Sequence, residues 1–123
     1  KIKFNETGKI PAFYNTLPEL NHTEMTGFDV KDGTRALSQK TYFIFLKDSD
    51  DHPRVQKRME VLEKLYRERN LSVLTLNLDG VSRLEKIFRS LILGDWTSYN
   101  LALKYNVEPE QVPMVEEFKR LIA

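Results

Sequence analysis

The spacing of apolar side chains changes rhythm several times along the chain, and each change marks an element. Thr41–Leu46 reads TYFIFL, apolar on both alternating faces, which predicts a strand buried on both sides as in a parallel sheet. Val55, Met59, Leu62 and Leu65 then fall four, three and three apart, one stripe of a helix over 53–69. Asp50 or Asp51 is expected to cap it. Asn70 is a stop signal, and LSVLTLNL (Leu71–Leu78) predicts a second strand. Strand, helix and strand within roughly 35 residues make a βαβ unit, with a right-handed crossover and parallel strands. Ser82, with Glu85 three positions on, starts a long helix in a capping-box pattern. That helix is apolar on most sides, from Leu84 through Phe88, Leu91, Trp96 and Leu103, so burial in the fold or in a subunit interface is expected, with Gly94 as a place to bend. A loop, NVEPEQVP, leads to a terminal helix over Met114–Ile122.

The first forty residues have a weaker rhythm. Pro11 and Pro18 exclude one long helix, so a short helix over Ala12–Leu17 and a second from Pro18 to Met25, stopped at Gly27, are predicted. Residues 29–40, DVKDGTRALSQK, read as a surface loop. Two strands are few for a parallel sheet, and the sequence opens at Lys1 inside a polar segment. Further strands are therefore expected upstream, or from another chain.

Composition removes several function classes. Hydrophobic residues at 41% and aromatics at 11% are enough for a core and argue against disorder. Lys and Arg total 19 against 18 acids, so nothing in the charge favours nucleic acid or an anionic membrane. Cysteine is absent, which excludes disulfides and thiolate chemistry. No apolar run approaches a membrane span and no signal-peptide pattern is present, so a cytoplasmic protein is expected. Two distant histidines give no zinc pattern, and the five isolated glycines form no phosphate loop. Asp48, Asp50 and Asp51 read as caps, and His52, before Pro53, as a cap or a solvated side chain. His22 has the near-neutral pKa that proton transfer needs, but a lone histidine is more often structural. Lys119, in EEFKRL, is well placed against a helix dipole, and Glu6 reads as a surface charge. Spacing alone yields an α/β domain without a mechanism.

Three stretches change that picture: NETGKIPAFYNTLPELNHTEMTGF (5–28), HPRVQKRMEVL, and SLILGDWTSYNLALKYNVEPEQVPMVEEFKRLI (90–122). In order and spacing they resemble the C-terminal sugar isomerase (SIS) domain of the bifunctional phosphoglucose/phosphomannose isomerases of bacteria and archaea. The resemblance covers nearly the whole chain except 29–40. It implies a three-layer αβα, flavodoxin-like fold with a parallel sheet, incomplete at its N-terminus. Residues 1–123 would then be the C-terminal SIS domain of a longer chain with two SIS domains.

The resemblance also implies an aldose–ketose isomerase that interconverts glucose 6-phosphate, and mannose 6-phosphate as a second substrate, with fructose 6-phosphate. Glu6 takes the place of the family's base, which moves a proton between C1 and C2 through an enediolate. His22 matches the histidine that assists ring opening, in the family often in the neighbouring subunit's site. Lys119 matches the lysine beside the ring oxygen or O1. Glu110 and Gln111 fall in the loop that influences acceptance of the mannose sugar and are candidate substrate contacts. Thr7 and Thr23 replace asparagines of the family pattern. No metal or organic cofactor is implied; the implied partners are a hexose 6-phosphate, an N-terminal SIS domain with Ser/Thr-rich phosphate loops, and a second copy in a homodimer with a shared active site. The alternatives are a non-catalytic sugar-phosphate-binding SIS module and a dimerisation module.

Overall fold

A computed structural model describes residues 1–123. In chain order its elements are α1 (Ile2–Glu6), α2 (Leu20–Thr23), a 3-10 turn (Met25–Phe28), α3 (Arg35–Ser38), β1 (Tyr42–Lys47), α4 (Pro53–Glu68), β2 (Ser72–Asn77), α5 (Arg83–Lys104) and α6 (Pro113–Ile122). The chain divides into two compact units, Asn15–Lys86 and Lys1–Tyr14 with Ile87–Ala123.

The predicted βαβ unit is the centre of Asn15–Lys86. β1 and β2 pair in parallel, with Phe43 beside Val73 and Phe45 beside Thr75. The apolar stripe of α4 covers one face of this two-stranded sheet, burying Phe45, Leu62, Tyr66, Leu71 and Val73 as one cluster. Each such side chain contributes roughly 1.5–3 kcal/mol relative to exposure. Around Tyr66 the core is aromatic: its ring lies 4.5 Å from Phe43, which meets Phe28 edge-on at 4.8 Å. Polar ties fix the helix on the sheet, Lys47 to Glu60 at 2.8 Å and Thr75 Oγ1 to Glu63 at 2.7 Å. The other face, Tyr42, Ile44, Leu46 and Leu74, is exposed within the chain.

Both long helices end by the same device. Asn70 (φ 57°) and Asn106 (φ 56°) adopt the left-handed conformation. The amides of Leu71 and Val107 then return to the carbonyls of Tyr66 and Ala102, the Schellman arrangement that satisfies terminal carbonyls. At its start α5 shows the Ser82 half of the predicted pattern, the Glu85 amide donating to Ser82 Oγ, while the Glu85 carboxylate accepts from the amide of Val81, one residue before the cap.

Four local expectations are corrected. The cap of α4 is His52, whose Nδ1 accepts from the Arg54 amide at 3.1 Å; Asp50 is instead drawn to Lys86. No helix forms over Ala12–Leu17, where the Thr16 amide is taken by the Asn15 side chain and that side chain also bonds Glu24. Such short polar side chains compete with helical hydrogen bonding. Residues 29–40 contain a helix, α3, and Ile2–Glu6 form α1, for which no rhythm was visible. Finally, of the two places of burial expected for α5, the one inside this chain is corrected: Trp96 and Ile92 are among its large apolar side chains exposed within the chain, while Ser98 and Ala102 form its buried stripe.

Candidate active site

The turn that carries Glu6 is assembled from short-range polar contacts. Ile2–Glu6 make barely more than one helical turn, too little to persist on propensity alone. Asn5 holds it from the side: its amide nitrogen donates to the Ala12 carbonyl at 2.9 Å, and its oxygen accepts from the Ala12 amide at 3.3 Å. The amides of Thr7 and Gly8 both return to the Lys3 carbonyl, and that of Ile10 to the Phe4 carbonyl. Gly8 is buried, and a Cβ there would stand 2.8 Å from the Phe4 carbonyl oxygen, so the turn needs glycine. Lys3 ties α1 to α5 through an ion pair with Asp95 at 2.7 Å. The hydrogen bond that Lys3 donates to Asp95, and then the charge of that carboxylate, raise the pKa of the Lys3 ammonium above its ordinary value.

Lys9 completes the turn. Its ammonium donates to the Glu6 carbonyl at 2.6 Å and to the Gln111 carbonyl at 2.5 Å. Glu6 and Gln111 are thus brought together through their main chains. The Glu6 carboxylate itself is exposed and makes no hydrogen bond or ion pair within the chain. Beside Gln111, the Glu110 amide bonds the Glu108 carboxylate at 2.8 Å, closing the loop before α6. Lys119, on α6, is exposed and pairs with Glu116 of the same helix at 2.8 Å.

His22 belongs to the other unit, in the last turn of α2, with an exposed imidazole. Its neighbour Asn21 accepts from Arg58 at 3.3 Å, which anchors that short helix to α4. The same unit holds two further charged arrangements. Lys86 is buried between Asp48 at 2.6 Å and Asp50 at 2.7 Å, beyond the carboxyl ends of both strands. Its hydrogen bond keeps the Asp48 carboxyl below the usual range, a fully paired structural arrangement. A groove of about 130 Å³ lies among Met25, Thr26, Phe28, Asp29, Tyr66 and Arg69. There the Asp29 carboxyl, held low first by Lys31 and then by Arg69, spans both cations. Histidines and carboxylates nowhere gather in a group of three that could hold a metal.

The residues that sequence reasoning missed are Asn5, Gly8 and Lys9. All three lie in the stretch NETGKIPA beside Glu6, but their bonds run largely through main-chain atoms, which residue types do not announce.

The chain is thus an α/β domain with a parallel βαβ unit and an exposed, unpaired carboxylate on a braced turn. Comparison with known proteins makes this particular. The family model of the bacterial phospho-glucose isomerase C-terminal SIS domain matches residues 1–122, and the chain belongs to that family. It is 35% identical over its whole length to a bifunctional phosphoglucose/phosphomannose isomerase of Thermoplasma volcanium, and 32% to that of Thermoplasma acidophilum. The enzyme of the same name from Aquifex aeolicus is 30% identical over 97% of the chain. The chain spans 36–38% of the length of these relatives. No solved structure was found to match it. No helix is long and apolar enough to cross a membrane.

Proposed function

We propose that this chain is the C-terminal SIS domain of a hexose 6-phosphate isomerase, interconverting glucose 6-phosphate, and mannose 6-phosphate as a second aldose, with fructose 6-phosphate. The observation that carries this reading is the Glu6 carboxylate, exposed and unpaired on a turn braced by Asn5 and Lys9. In the reaction it takes the proton from C1 of the open-chain ketose as O2 gains one, giving a cis-enediol. It then returns a proton to C2 while O1 loses its own, which leaves the aldehyde. Exclusion of water by the bound sugar and by the rest of the protein would strengthen this base.

Lys119 supplies positive charge to an oxygen on which negative charge develops. Its present partner Glu116 is an exposed neighbour, a pairing worth about 0.2–1 kcal/mol that substrate can displace. His22 serves ring opening, where an acid and base of near-neutral pKa are needed, in the site of a second copy of the chain. Glu110 and Gln111 contact the sugar. A homodimer is supported by α6, whose Met114, Val115, Phe118, Leu121 and Ile122 are all exposed. Phosphate-binding loops are assigned to an N-terminal SIS domain, and the compartment to the cytoplasm, where hexose phosphates are metabolised.

The test is made on the complete protein, with fructose 6-phosphate in heavy water and deuterium followed at C2 of the aldose product. Glu6→Gln is expected to slow incorporation by about 10²–10⁴-fold, the usual worth of a positioned base. Exchange at the parent rate would remove Glu6 from the role. Sugar-phosphate binding by the unaltered protein without any exchange would favour a non-catalytic SIS module.

A further inference from the structure

We propose that Lys9 is a positioning residue for the Glu6 carboxylate, acting as a staple between the turn after α1 and the loop before α6. The inference rests on the reading of Glu6 as the base. A lysine near a helix C-terminus ordinarily satisfies that helix's last carbonyls and complements its dipole. Lys9 does this at the Glu6 carbonyl, but its second acceptor, the Gln111 carbonyl, lies 102 residues away in the chain. One ammonium therefore fixes the main chain of Glu6 against the loop that carries Glu110 and Gln111 and leads into α6.

Backbone geometry supports the same role. Lys9 has φ 56°, the left-handed region that non-glycine residues seldom enter and that persists where surrounding contacts enforce it. Those contacts are Gly8 packed on Phe4 and the Asn5–Ala12 pair, both described above. Charge-assisted hydrogen bonds to two carbonyls are stronger than neutral ones, so the ammonium is a strong link between the two segments. A base displaced by about 1 Å loses about 10²-fold in rate, whereas substrate binding elsewhere is little affected.

The experiment compares Lys9→Met, which keeps the aliphatic stem and removes the donors, with Lys9→Arg, whose guanidinium can donate to two carbonyls. Both are measured in the complete protein, with kcat and KM for fructose 6-phosphate and the folded fraction determined together. Lys9→Met is expected to lower kcat about 10–100-fold with KM within about twofold, and Lys9→Arg to recover most of that loss. The proposal is overturned if folded Lys9→Met turns over at the parent rate, or if its loss is matched by a smaller folded fraction. It is overturned equally if Lys9→Arg recovers no more than Lys9→Met. Should Lys9→Met not fold, Lys9→Leu, which likewise carries no donor, takes its place under the same criteria. Glu6→Gln is measured alongside: full activity there refutes the base itself, whereas an inactive Glu6→Gln with a parent-like Lys9→Met refutes only the staple.

Discussion

Within Asn15–Lys86 the side chains of Phe45, Leu62, Tyr66, Leu71 and Val73 are buried together, whereas Lys1–Tyr14 with Ile87–Ala123 buries only the small residues Gly8, Ser98 and Ala102. The first unit is held by apolar mass gathered between a helix and a sheet. In the second, hydrogen bonds and an ion pair fix the turn after α1, and large apolar side chains of α5 and α6 stay exposed. The lesson concerns where precision comes from. A hydrophobic cluster is non-directional and tolerates small shifts of its members, whereas hydrogen bonds fix a turn to a few tenths of an ångström. The proposed base stands on the second kind of support.

The largest expected effect tests whether apolar burial is confined as described. Leu62, 1% exposed, should cost about 3 kcal/mol when replaced by alanine, through lost transfer energy and a cavity. Phe118, 59% exposed on α6, should cost less than about 0.5 kcal/mol as Phe118→Ala at concentrations where the protein is monomeric. Urea unfolding measures both. Equal costs would abolish the contrast between the two units, while a Phe118→Ala cost that grows with protein concentration would mark α6 as an interface.

A smaller effect separates the interior of the core from its rim. Burial pushes the Tyr66 phenol up to about 12, with a further push from the Glu24 charge, and its hydroxyl has no partner in the protein. A folded pKa above the unfolded one gives stability that is complete below about pH 10 and lost as pH rises through the folded value. About 2 kcal/mol should be lost between pH 10 and 12 from this group. Tyr66→Phe should remove that alkaline loss and change stability little at pH 7, since no hydrogen bond is given up. If Tyr66→Phe and the parent fall equally from pH 10 to 12, the phenol is not sequestered.

The same division explains what could be read in advance. α4 was legible because a 3.6-residue apolar stripe runs through it, and β1, β2 and α5 because dense apolar runs bounded by turn and cap signals mark them, patterns that burial writes into sequence. α1 was not, since five residues hold less than two turns and its fixation comes from Asn5 reaching Ala12. The absent helix at Ala12–Leu17 was lost to Asn15, whose side chain satisfies the Thr16 amide locally. The cap of α4 went to His52 because Lys86, 36 residues on from Asp50, claims that carboxylate, a pairing with no local signal. The roles proposed for Glu6, His22 and Lys119 came from resemblance to a family. Single polar residues carry no period, and only their surroundings distinguish a base from a surface charge.

The smallest expected effect on stability bears most directly on the polar turn. Gly8→Ala would place a Cβ 2.8 Å from the Phe4 carbonyl oxygen and 3.2 Å from its Cα, both backbone atoms that can yield only by moving α1. Because this short helix lies at an exposed edge of its unit, the stability cost should be about 1 kcal/mol, at the low end for overpacking. The kinetic cost should exceed it, since α1 carries Glu6 and a shift of some tenths of an ångström acts on the reacting geometry. Deuterium incorporation at C2 by the complete Gly8→Ala protein should fall by about tenfold, with the folded fraction nearly unchanged. A parent-like exchange rate would mean that the turn can shift without moving the carboxylate, and the precision attributed to its polar clamps would then belong to another part of the protein.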